Sequence, residues 1–220
     1  MKIYIRILII LLLLLPTVYA WKAETHENII EYVYLNLPIE VQTQLNITKL
    51  KEGAVMPDRD FKDFRRHHYP ASLEEANKWL NNNSDLSLNL GIASHYITDS
   101  FAAPPNIPGE EYYDHSYFEK QVTYYYPNIE CKDYGFTINN LHIAAKNSED
   151  WGIWLKTKDK KIPQKEVDES TKFLFSVVLN RLNTTCNNVK TEVINKPYIN
   201  RNKIIIISLI SMIGLFFLRK

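Results

Sequence analysis

Residues 86–100 read LSLNLGIASHYITDS. Apolar and small residues dominate 86–103, and Pro104-Pro105 closes the run. Such a stretch reads as a helix buried on most of its surface. Set into it are His95 and Asp99, four residues apart, so both lie on one helical face. A histidine on an apolar helix is more often a hydrogen-bonded core residue than a metal ligand. The next segment changes that balance. HSYFE at 115–119 repeats the spacing with His115 and Glu119. Two such pairs on consecutive helices favour a shared metal over two coincidences.

The rest of the chain is helical in its periodicity. Gly is scarce, at 6 of 220 residues, and alternation of period two is rare. Ile29, Ile30, Val33, Tyr34 and Leu37 form one stripe, ended by Pro38. Ser72-Leu-Glu-Glu75 has the form of a capping box ahead of Ala76, Trp79 and Leu80. Helices are expected over 112–126, closed by Pro127, and over 138–155, with Gly152 a weak point. A last long helix is expected from just after Pro163 to about Asn187. The reading is an all-α globule of six to eight helices, a multi-helix bundle with an irregular loop near 57–71.

The ends carry different signals. Residues 1–20 begin with Lys2 and Arg6, continue through an apolar 7–15 core and finish on Val18 and Ala20, the pattern of a cleaved signal peptide. The alternative is an uncleaved N-terminal anchor. Removing the segment leaves 24 basic against 25 acidic residues. That neutral balance gives no support to a nucleic-acid partner. The domain is expected over 21–196, followed by a polar linker at 197–203. Residues 204–218, IIIISLISMIGLFFL, span about 22 Å as a helix, short of a ~30 Å hydrocarbon core. They are read as a C-terminal membrane anchor in a thin or adapted bilayer, with the domain on the extracellular face. The alternative is a tail that is processed or docked. Cys131 and Cys186, the only two cysteines, are expected to pair outside the cytoplasm. Asn46, Asn82 and Asn183 fit the glycosylation triplet, a frequent match in an Asn-rich chain.

The remaining histidines are His26, near the start of the expected mature chain, the doublet His67-His68, and His142. Asp58 and the doublet lie in GAVMPDRDFKDFRRHHYP. Adjacent loop residues point apart, so one of His67 and His68 is expected to bind. Asp60 and Asp63 read as solvated partners of Arg59, Arg65 and Arg66, and His142 as an ordinary core or surface residue. Imidazole and carboxylate without thiolate suit Zn²⁺ best, with Mn²⁺ or Fe²⁺ as alternatives. Clustered metals bind phosphate and activate water.

Five features in order resemble the zinc-dependent phospholipase C family, relatives of the secreted single-strand-specific nucleases. They are Trp21 at the expected mature terminus, the nearby His26, the PDRD loop with a later His and Tyr, HYITD, and HSYFE. The likeness runs from Trp21 to about Glu119. It implies an all-α fold and a site for two or three Zn²⁺. Trp21 would bind through its free amine and carbonyl, together with His26. Asp58, His67 (or His68), His95 and Asp99 would hold a second ion, with Asp99 bridging. His115 and Glu119 would hold a third. Signal removal would then create the Trp21 amine, with a pKa of about 8.

One departure stands out. The family carries a further His about six residues after the bridging Asp, and this chain has Pro105 and Asn106 there. Asn106, Glu111 or Asp114 are the substitutes at hand.

The implied activity is phosphodiester hydrolysis by metal-activated water, with phospholipid as substrate and Asp58 as ligand and possible base. Tyr112, Tyr113, Tyr117 and Phe118 are candidates to line a lipid cleft, or are simply core. The alternatives are a single-strand nuclease on the same metals, and a membrane-anchored metal-binding protein without strong catalysis.

Overall fold

The computed structural model describes residues 21–63, 65–102, 109–111, 113–148 and 150–186. Every regular element among them is helical. In chain order these are α1 (Ala23–Asn36), α2 (Ile39–Gln42), α3 (Ile47–Arg59), α4 (Ala71–Leu80), α5 (Leu86–Asp99) and α6 (Asp114–Lys120). A 3₁₀ turn (Ile138–Asn140), α7 (Leu141–Ser148), α8 (Trp151–Thr157) and α9 (Lys161–Arg181) follow. That is nine α-helices among the described residues, above the expected six to eight. The signal-like 1–20 segment, the 197–203 linker and the 204–218 tail lie outside the described residues. No described helix is long and apolar enough to cross a membrane.

Helix α5 is the centre. The Asp85 carboxylate caps it, accepting from the Leu88 amide at 3.2 Å, which satisfies one of the orphan donors of the first turn. Every α5 residue except Leu86 and Leu88 is buried. Helices α1, α3, α4 and α9 all pack against it. The α3 crossing is the closest. A Cβ on Gly53 would come within 2.9 Å of the Ile92 amide, and one on Gly91 within 3.0 Å of the Gly53 Cα. Only glycine at both positions lets the two backbones meet, and the contact brings the last turns of α3 alongside His95.

Several boundaries differ from expectation. The irregular loop begins at Asp60, because α3 continues through Pro57 to Arg59. Asn46 caps that helix, accepting from the Lys49 amide at 3.2 Å. Proline so near the C-terminal end sacrifices one internal hydrogen bond and no more. The Ser72–Glu75 capping box does not form, since α4 already begins at Ala71. Ser72 instead accepts from the Ser100 hydroxyl at 2.8 Å, and Glu75 pairs with Arg66 and Lys78. The 112–126 helix is reduced to Asp114–Lys120. The 138–155 segment breaks between Ser148 and Trp151, ahead of Gly152 rather than at it. The last helix starts before Pro163, which sits in the first turn where no amide donor is needed, and ends at Arg181.

Trp21 is fully buried. Its ring stacks on Phe118 at 5.6 Å, and Phe118 meets Trp151 and Trp154 edge-on at 4.9 and 5.0 Å. Phe118 is therefore core and not cleft lining. Tyr113 and Tyr117 are exposed, and Tyr112 lies outside the described residues. Cys131 and Cys186 form a disulfide, tying the segment after α6 to the segment after α9.

Candidate metal centre

Four elements deliver the polar groups that the apolar core surrounds. Asp99 ends α5 and is fully buried. Its two oxygens face different partners. Oδ1 accepts from the Trp21 backbone nitrogen at 3.1 Å and lies 3.1 Å from His26 Nε2. Oδ2 lies 2.8 Å from His67 Nδ1 and 3.0 Å from His95 Nε2. Asp58, in the last turn of α3, places Oδ1 at 3.5 Å from His67 Nε2 and 3.7 Å from His95 Nε2. One carboxylate thus faces both halves of the cluster, one oxygen to each.

The ring orientations are fixed from outside. His95 Nδ1 meets the Ala54 carbonyl at 2.8 Å. A carbonyl only accepts, so Nδ1 carries the proton and the neutral ring turns a bare Nε2 inward. His26 Nδ1 meets Thr98 Oγ1 at 3.1 Å. That hydroxyl donates to the Ser94 carbonyl at 3.0 Å, leaving its lone pair for His26. Again Nε2 faces the cluster. Such outer partners set the tautomer of ligating imidazoles. The Trp21 indole is held in the same way, Nε1 donating to the Thr98 carbonyl at 3.1 Å.

His26 Nε2, Asp58 Oδ1, His67 Nε2, His95 Nε2 and Asp99 Oδ2 are buried and make no hydrogen bond. Burying so many polar atoms unsatisfied costs several kcal/mol. They approach one another at 3.0–3.7 Å without hydrogen-bond geometry, aimed at shared space. Ligand atoms of His26, Asp58 and His95, and of His67, His95 and Asp99, lie within 4.8 Å of one another. An imidazole and carboxylate set of this kind fits zinc.

Electrostatics agree with that fit. Burial by itself would raise the Asp99 pKa, but His26, His95 and His67 hold it well below the usual carboxylate range. Burial likewise opposes charge on His67, yet Asp99 and then Asp58 outweigh it and lift the imidazole to about 9. Burial pushes Asp58 up to about 6 against the pull of His95. His95 is lowered by burial and by His26.

A second pair sits on α6. His115 Nε2 lies 2.9 Å from Glu119 Oε1, and burial raises Glu119 to about 7. His115 Nδ1 lies 3.6 Å from Glu110, a residue that carried no motif in the sequence. Asp114 is not a substitute ligand here, because its carboxylate pairs with Lys158 and accepts from the Glu111 amide at 3.1 Å. Pro105 and Asn106 lie outside the described residues.

Asp63 is not a solvated ion-pair partner. It is buried, accepts from the Tyr96 hydroxyl at 2.8 Å and pairs with Arg66 Nε at 2.8 Å. Through Tyr96 it fastens the loop that carries His67 onto α5. Asp60 does pair with Arg59 in solvent. His142 is exposed and stacks on Tyr69 at 4.2 Å.

A family model described as zinc dependent phospholipase C matches residues 25–184. The chain belongs to that family and is of the zinc-dependent hydrolase type. No curated protein and no solved structure matches the chain significantly.

Proposed function

We propose that this member of the zinc-dependent phospholipase C family cleaves the phosphodiester of phospholipid headgroups. Its zinc ligands are Trp21, His26, Asp58, His67, His95 and Asp99, with His115 and Glu119 forming a separate position. The observation that carries the reading is the convergence of the buried, unsatisfied Nε2 atoms of His26 and His95 on the two oxygens of Asp99.

Zinc bound there would supply positive charge for the phosphodiester oxygens and lower the pKa of a water. The protein's own residues do the rest. Asp99 stays ionised and holds both halves of the site in register. Thr98 and the Ala54 carbonyl keep His26 and His95 in the tautomer that presents Nε2. Asp58 is the most open member, with 11% of its side chain exposed against none for His95 and Asp99. Solvent and substrate approach from its side. Asp58 would hold zinc there and would be placed to orient, or to take the proton of, the attacking water.

Export and membrane attachment complete the proposal. Cleavage after Ala20 would turn the Trp21 nitrogen from an amide into an amine beside Asp99. The Cys131–Cys186 bond supports an oxidising compartment. The 204–218 tail would hold the domain at the extracellular face, where phospholipid is at hand.

The test is headgroup release. Zinc-loaded protein is expected to free phosphocholine or another phosphorylated headgroup from mixed phospholipid vesicles, and a chelator to stop it. Nucleotides released from single-stranded DNA, with vesicles untouched, would replace this reading by the nuclease. Zinc-loaded protein inert on both substrates would leave a metal-binding protein without catalysis.

A further inference from the structure

Asp58, His67 and His95 reach the cluster from three separate segments: the end of α3, the loop after it, and α5. A carboxylate outside the cluster touches all three segments. The Asp63 amide donates to the carbonyl of Pro57, the residue before Asp58, at 3.0 Å. Asp63 Oδ2 accepts from the hydroxyl of Tyr96, the residue after His95, at 2.8 Å. The same oxygen meets Nε of Arg66, the residue before His67, at 2.8 Å. Oδ1 accepts from the Arg65 amide at 3.4 Å. Both Asp63 oxygens are therefore engaged outside the cluster.

The anchors are themselves held. Tyr96 is fully buried and Asp63 is buried beside it. The Tyr96 ring stands edge-on to His67 at 6.0 Å and to His95 at 5.6 Å. Arg66 is gripped on its other side by Glu75 of α4, which Lys78 also pairs at 3.0 Å. Charge-assisted bonds out of reach of water hold geometry better than surface pairs do. Zinc needs such control, since its bonds to imidazole nitrogen are about 2.0–2.1 Å long and a histidine on a drifting loop loses them. His26, by contrast, is held by Thr98.

We propose that Asp63, acting through Tyr96 and Arg66, is a positioning residue for the zinc position formed by His67, His95 and Asp99, whose ligand atoms lie within 4.8 Å of one another. The inference rests on the zinc-dependent reading of the site, and the experiment separates the two.

The purified protein is stripped with a chelator and titrated with zinc against a chromogenic chelator, at a temperature where the metal-free variants remain folded. Asp63→Asn and Tyr96→Phe are each expected to hold one ion about 10–100-fold less tightly and the rest at wild-type affinity. The double variant should lose little more than the worse single one, because both changes break the same bond. Asp60→Asn, which removes an exposed acid of the same loop paired with Arg59, is expected to match the wild type. Should Asp63→Asn not fold, Tyr96→Phe, which removes a single oxygen, decides alone. Wild-type affinity for every ion in the variants overturns the inference and leaves the zinc reading intact. So does an equal loss for every ion, which marks a merely structural role, or losses that simply add in the double variant. A wild type that binds no zinc overturns both.

Discussion

Zinc loading of this site must displace protons, and the structure sets how many. In the metal-free protein His67 is lifted to about 9, Glu119 to about 7 and Asp58 to about 6. At pH 7 the first holds nearly one proton, the second about half and the third about a tenth, so filling both positions releases about 1.6 protons. If cleavage has freed the Trp21 amine, with a pKa of about 8, the total rises to about 2.5. The sign follows directly. All these groups bind protons more tightly than zinc permits, so zinc affinity climbs with pH. The overall loading constant should increase about 20-fold from pH 7 to pH 8 with the amine blocked and about 100-fold with it free. Isothermal titration calorimetry in buffers of different ionisation heat counts the protons. His67→Gln should remove about one of them. Zinc binding with no net proton release, or release unchanged in His67→Gln, would refute the assignment of these groups as ligands.

Other expectations concern the frame. Thr98→Val removes the hydroxyl that fixes His26 and should weaken zinc binding about 10–100-fold with little change in the metal-free fold; a competition titration against a chromogenic chelator measures it. Gly91→Ala places a Cβ within 3.0 Å of the Gly53 Cα and should cost about 1–3 kcal/mol or more in denaturant unfolding, whereas Gly152→Ala, whose Cβ meets nothing within 4 Å, should not destabilise. Reducing Cys131–Cys186, which closes a loop of sequence separation 55, should cost about 4 kcal/mol in the chain-entropy account, read as a lower unfolding midpoint under reductant.

Much of this site was legible because the signals were local. His95 with Asp99, and His115 with Glu119, are i, i+4 pairs, and helical geometry alone puts each pair on one face. The Cys pair followed from there being two cysteines. The Trp21–His26–Asp58–His67 part needed the resemblance, since nothing local links an N-terminal segment to α5. What was missed depends on long-range contacts. Asp63 looked like any loop acid among arginines, and only the fold brings Tyr96 to it. Thr98 and the Ala54 carbonyl have no sequence mark as imidazole partners. Helix α3 drew no assignment from the sequence, where Gly53 and Pro57 interrupt its apolar pattern. The first is required by the α5 crossing and the second is tolerated near a helix end. Ser72 and Glu75 match a capping box by spacing, but tertiary partners claim both side chains. Phe118 stands in an aromatic-rich segment with Tyr113 and Tyr117, and its packing against Trp21, Trp151 and Trp154 is what distinguishes it.

The most direct measurement is elemental analysis of the purified protein together with its N-terminal sequence. The account predicts two or three zinc ions per chain on a protein that begins at Trp21, with the ions lost when Asp99 is changed to Asn. A protein that begins at Trp21 and carries no zinc, or one whose zinc survives Asp99→Asn undiminished, would contradict it.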